Sequence, residues 1–164
     1  MSVAHKISAE ERALLRHTLA TVAYRAGKAL RDAPSSFGDF FCGEGGRTPR
    51  QILAHMGDLY DWGLSLAAGK QAWHDATPLD WEKEVDRFFD ALKKFDDFLA
   101  SEMELHESSG ALFQGPIADS LTHIGQIAML RRMAGCKIKG ENYHKAEIAV
   151  GRIGLQQAAP RREF

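Results

Sequence analysis

The amino-acid sequence predicts an all-α protein, a four-helix bundle with a long first connection and an irregular C-terminal tail, forming one domain over residues 1–164. Three observations carry that expectation. Apolar residues recur at intervals of three and four through four separate stretches, the repeat of a helix buried along one side. Helix-start and helix-stop residues bracket those stretches. No convincing strand pair, internal repeat or low-complexity tract breaks the pattern, and the length suits a single sizeable core.

The first helix starts in "SAEERALLRHTLATVAYRAGKALRD". Ser8 followed by Glu11 is a capping box, in which each side chain satisfies a backbone N–H left orphaned at the helix start. Leu15, Leu19, Val22, Ala26 and Ala29 then form the apolar stripe, with His17 and Tyr24 on the side away from it. The second helix opens at Thr48, an N-cap, with Pro49 in the first helical position, and stops at Gly69. The third occupies about "DWEKEVDRFFDALKKFDDFLASEMELHE", where Val85, Phe88, Leu92, Phe95 and Leu99 make a bundle seam. The fourth runs from near Gly115 to Ala134 and stops at Gly135. Residues 32–47 form a linker holding four glycines, long enough that the helices it joins need not be adjacent neighbours. After the bundle (about 8–135), the tail 136–164 shows no helical stripe; it is expected to drape over the bundle and fray at its end.

Composition narrows the function. With 21 basic and 22 acidic residues the formal net charge is −1, which argues against non-specific nucleic-acid binding. No apolar run approaches a membrane span, and "MSVAHKISAEER" lacks the continuous apolar core of a secretory signal. Cys42 and Cys136 cannot alone make a disulfide framework or a thiolate zinc site. A cytoplasmic protein with reduced thiols is the plain reading. "GEGG" before the second helix lacks the Lys and Ser/Thr of a phosphate-binding P-loop, and neither a G-x-S-x-G elbow nor a dinucleotide fingerprint is present.

The informative residues are polar groups among apolar ones. In "ADSLTHIGQIAML", Asp119, His123 and Gln126 fall within one arc of the helical wheel, and Asp119 and His123 lie one turn apart. Ile117, Leu121, Ile124 and Ala128 share another face, while Met129 and Met133 lie on a second side and Ile127 and Ala134 on a third. A helix apolar on most sides is buried on most sides, so a further contact, most simply a second subunit, is expected. On the second helix His55, Leu59, Trp62 and Leu66 recur at four, three and four, which places His55 in an apolar stripe beside Ile52. Two readings stand level on this pattern. In one, His55, Asp119 and His123 hold a divalent cation that relieves the cost of a buried carboxylate, with Gln126 orienting a ligand or a bound water. In the other, Asp119 and His123 satisfy each other and His55 is a neutral, hydrogen-bonded core residue. His106, on the extension of the third helix's seam, is the reserve ligand. His5, His17, His74 and His144 have no comparable placement. Cys42 in the glycine-rich linker would be reactive if exposed, without being catalytic.

"TPRQILAHMGDLYDW" followed downstream by "DSLTHIGQIAMLRRMAG" resembles the DinB-like (damage-inducible) metal-binding helical bundles, a family that includes thiol-dependent S-transferases and a mycothiol-dependent maleylpyruvate isomerase. The likeness covers residues 8–135, and "GENYHKAEIAVGRIG" is similar to the tail of one branch. The resemblance implies a four-helix bundle, a homodimer, and a metal held by three side chains. His55 and His123 match the family's histidines, while Asp119 stands where the family's H-x-x-x-H pattern has its first histidine. The implied ion is zinc or nickel, with iron or manganese as alternatives. The implied activity is metal-assisted hydrolysis or transfer of a low-molecular-weight thiol to a small-molecule substrate, with Asp58 as the remaining candidate base. The competing expectation is a non-catalytic, stress-associated homodimer whose polar or metal site is structural. Neither nucleic acid nor membrane is expected as a partner.

Overall fold

The structure, a computed structural model, describes residues 7–164. It is an all-helical bundle of α1 (Ala9–Leu30), α2 (Pro49–Ala67), α3 (Trp81–Ala100) and α4 (Ala118–Met133). The last is led in by a turn of α-helix at Ser109–Leu112 and a π-helical turn at Phe113–Ile117. Among the described residues no helix is long and apolar enough to cross a membrane. Residue His5 lies outside the described part.

Local signals behave as their chemistry requires. Ser8 Oγ accepts from the Glu11 N–H while the Glu11 carboxylate accepts from the Ser8 N–H, completing the expected capping box. Thr48 and Gln51 do the same for α2 behind Pro49. Gly69 and Gly135 follow their helices at φ of 71° and 78°, the left-handed conformation that a side chain would strain. The α3 seam is fully inside: Phe88, Leu92, Phe95 and Leu99 are all 0% exposed.

Both α3 and α4 pack against α1 and α2, which puts α1 diagonally across the bundle from α2. The connection of residues 31–48 therefore crosses the bundle's end, which is the use its length allows. The same arrangement makes α2 and α4 direct neighbours, and the candidate site lies between them.

Four expectations need correction. The fourth helix begins earlier than Gly115: Ser108 caps it, accepting from the Ala111 N–H. Pro116 lies within the π turn that leads into it. The third helix stops at Ala100, short of His106. Tyr24, assigned to the outer side of α1, is 2% exposed because the tail covers it. Finally, the chain end is pinned rather than frayed. Asn142 N–H donates to Arg162 O, and Phe164 N–H donates to Gly140 O.

A buried polar latch holds that tail. Glu141 accepts from the Tyr24 hydroxyl at 2.6 Å and from Lys28 Nζ at 2.9 Å, and Lys28 also donates to Glu163 at 2.8 Å. Burial, reinforced by Glu141, pushes the Tyr24 hydroxyl well above its ordinary pKa. Close by at the C-terminal end of α1, the buried Arg131 guanidinium donates to Ala29 O and Arg31 O, satisfying carbonyls at the helix C-terminus.

Candidate metal centre

His55 projects from the middle of α2, and Asp119 and His123 from successive turns of α4. The bundle brings all three together. His55 Nε2 lies 3.7 Å from Asp119 Oδ2, and His123 Nε2 lies 3.5 Å from Asp119 Oδ1. One carboxylate thus faces both imidazoles, one oxygen to each. The two rings meet edge to face, 4.9 Å between centroids. One donor atom from each residue lies within 4.8 Å of the other two.

Gln126 sits one turn beyond His123. Its Oε1 is 2.8 Å from His123 Nδ1, and in the tautomer that donates Nδ1–H to this oxygen, Nε2 is the nitrogen that faces Asp119. Burial holds the His55 pKa below the ordinary histidine value, with His123 and Arg47 adding to the effect and Asp119 opposing it. His55 is therefore neutral near pH 7, with a lone pair to offer.

The donor set fits a divalent cation. Two imidazole nitrogens and a carboxylate oxygen are zinc-type ligands, and donors about 2.0–2.2 Å from one ion must stand roughly 3–3.5 Å apart. Each imidazole lies near that spacing from its own Asp119 oxygen, at 3.5 and 3.7 Å, and one donor atom from each of the three residues lies within 4.8 Å of the others. With three protein donors from two helices, the remaining coordination side is open, as it is at catalytic rather than structural sites.

The energetic argument made from sequence does not survive. The Asp119 side chain is 48% exposed, so there is no buried-charge penalty for a cation to relieve. His55 is likewise at the rim, its side chain 23% exposed. The core line of α2 is Leu53, Met56, Tyr60 and Ala67, all 0% exposed, while Trp62 and Leu66 are half-buried. Because α2 is apolar on several sides, helical spacing could not choose the stripe that faces inward.

Other residues are sorted by their contacts. His106 donates its N–H to Ala67 O and packs on Gly69, fourteen positions along from His55, or about 21 Å of helix rise. It cannot be a ligand. Asp58 is buried, but its oxygens face Arg87, the Ala76 N–H at 3.0 Å and His74 at 3.2 Å. Its oxygens are already engaged there by Arg87, Ala76 and His74 rather than turned toward the His55–Asp119–His123 centre. Asp58, Asp61 and His74 form a second group with ligand-like spacing that the sequence reading missed. Arg87 already supplies its positive charge, with Glu84 as a further partner. The spacing of Asp58 and Asp61 on α2 was visible, but His74 arrives through the connection 70–80, whose path no periodicity predicts.

That connection also flanks the centre. Trp73 lies edge-on to His55 at 5.7 Å and to Trp62 at 5.9 Å. On the other flank an open groove of about 700 Å³ runs along α4, with His123, Gln126, Arg47 and Cys42 among its lining residues. Cys42 is half-buried there, and Cys136 is also a free, half-buried thiol.

Compared with protein-family models, with curated proteins and with solved structures, the chain gives no match. The site's chemistry therefore rests on its own geometry.

Proposed function

We propose that His55, Asp119 and His123 hold a divalent cation, zinc or nickel first, and that the protein is a metal-dependent enzyme of the DinB-like type acting in hydrolysis or thiol transfer. The observation that carries this reading is the convergence of three ligand-type side chains from two helices, one of them oriented by Gln126. The motif resemblance in α2 and α4 supports it. A cation bound there would act as a Lewis acid, lowering the pKa of a coordinated water or thiol toward neutrality. The chain's own residues supply the rest. His55 stays neutral and ligating, Gln126 fixes the His123 ring, and Asp119 offsets part of the cation's charge from the open rim. Asp58 is engaged by Arg87, so no separate general base is assigned among these residues.

A second reading draws on two observations: Met129 and Met133 are 59% and 55% exposed on α4, and rim-placed Asp119 needs no cation for its burial. In it the protein is a non-catalytic homodimer joined through that face, and any metal is structural.

Metal content by mass spectrometry, on protein purified without a histidine tag, separates these. The enzyme reading expects close to one divalent ion per chain, lost in His55→Ala while the helical circular dichroism is kept. It is abandoned if the protein stays metal-free after dialysis against zinc, nickel and manganese. The structural reading expects a dimer by sedimentation and a lower melting temperature in His123→Ala.

A further inference from the structure

The groove beside the centre has a chemistry of its own. Its floor and wall include Ile52, Leu130 and the exposed Met129, with the polar groups of Thr122 and Gln126 along one side. No Asp or Glu is among its lining residues, and Arg47 is its one lysine or arginine. Arg47 also lines the smaller cavity that holds His55, so it stands at the junction of groove and centre.

Arg16, Arg50, Arg87 and Arg161 each grip a carboxylate. Arg47 is exposed and forms no ion pair or hydrogen bond among the described residues. A guanidinium presents a planar fork of donors that matches a carboxylate two bonds at a time. Opposite it lies apolar surface that a solvated ion would not use. A volume of about 700 Å³ is that of a small-molecule site.

We infer that this groove binds a small organic monocarboxylate, its carboxylate on Arg47 and its apolar body along Ile52, Met129 and Leu130. A single cation against an apolar wall suits one delocalised negative charge. A phosphate ester would call for several donors, and the groove has no second basic residue. The inference names the substrate class for the proposed centre and rests on that reading for its reaction, but Arg47 recognises the anion with or without a cation in place.

The test is binding, not turnover. Hexanoate, its neutral counterpart hexanamide, and acetate are titrated by calorimetry into zinc-treated protein, with zinc content measured on the same samples. Hexanoate is expected to bind at least about tenfold more tightly than either control. Arg47→Gln is expected to weaken hexanoate by about tenfold or more, the usual cost of deleting a charged hydrogen-bonding partner, with zinc content unchanged. Met129→Ser, at an exposed position, is expected to weaken it a few-fold. Equal binding of hexanoate and hexanamide, no saturable binding of hexanoate, or an Arg47→Gln protein that binds like wild type would each overturn the inference. If zinc binds and hexanoate does not, the groove inference fails alone. If hexanoate binds through Arg47 to a protein that takes no metal, the metal reading fails and the groove inference stands.

Discussion

Replacing Gln126 by alanine removes the oxygen that holds His123 Nδ1–H at 2.8 Å and leaves the three ligands themselves untouched. Gln126 is exposed on α4, so the change opens no cavity and strands no buried partner. What is lost is the fixed tautomer and orientation of the His123 ring, whose Nε2 must point at the cation. Removing an outer-shell partner of a ligating histidine costs about 10–100-fold in metal affinity, or ~1.4–2.8 kcal/mol. Water can replace the amide oxygen at this exposed site, which places the expectation at the lower end, about tenfold. Competition against a chromophoric zinc chelator measures it, and the melting temperature of the metal-free protein should not move. Gln126→Glu should restore or tighten binding, since a carboxylate is the stronger acceptor for Nδ1–H. If Gln126→Ala and wild type bind zinc equally while His123→Ala loses it, Gln126 has no orienting role and the reasoning fails.

Two further outcomes follow from groups described above. In Glu141→Gln, Lys28 keeps Glu163 as a charged partner but loses the fully buried one, at a cost of about 2–3 kcal/mol. Thermal melts should show a fall of about 5–10 °C, and the double variant Lys28→Met/Glu141→Leu should fall less, because no charge is left buried. A Glu141→Gln shift under about 1 °C would mean the latch holds nothing. For pH, His55 is held below its ordinary value, so the unfolded chain takes up that proton first as pH falls. The stability of the metal-free protein should therefore be level above about pH 6.5 and decline below it, and His55→Ala should flatten that decline. Melts of wild type and variant across that range decide it.

The candidate site was only half legible. Gln126 against His123 is a contact within one helix, set by the pitch of the chain, and spacing found it. Asp119 beside His123 was legible for the same reason. That His55 joins them depends on α2 and α4 being neighbours, which the motif resemblance implied and no periodicity could supply. The depth of the site was misjudged. A helical wheel says which residues share a face, but not whether that face meets the core or its rim.

The sequence by itself determined what depends on a few consecutive residues. The capping boxes at Ser8 and Thr48, the glycine stops at Gly69 and Gly135 and the α3 seam are local, because backbone hydrogen bonds and helical pitch act over a turn or two. Only the tertiary structure decided the rest. Pro116 sits inside a helix because a π turn takes it up, and Tyr24 is buried because Glu141 reaches it from the tail. Asp58 is neutralised by Arg87 from α3, and Arg47 is left facing a groove. Each of these depends on which distant surfaces meet, and that is settled by how four amphipathic helices bury their apolar faces together rather than by any one of them.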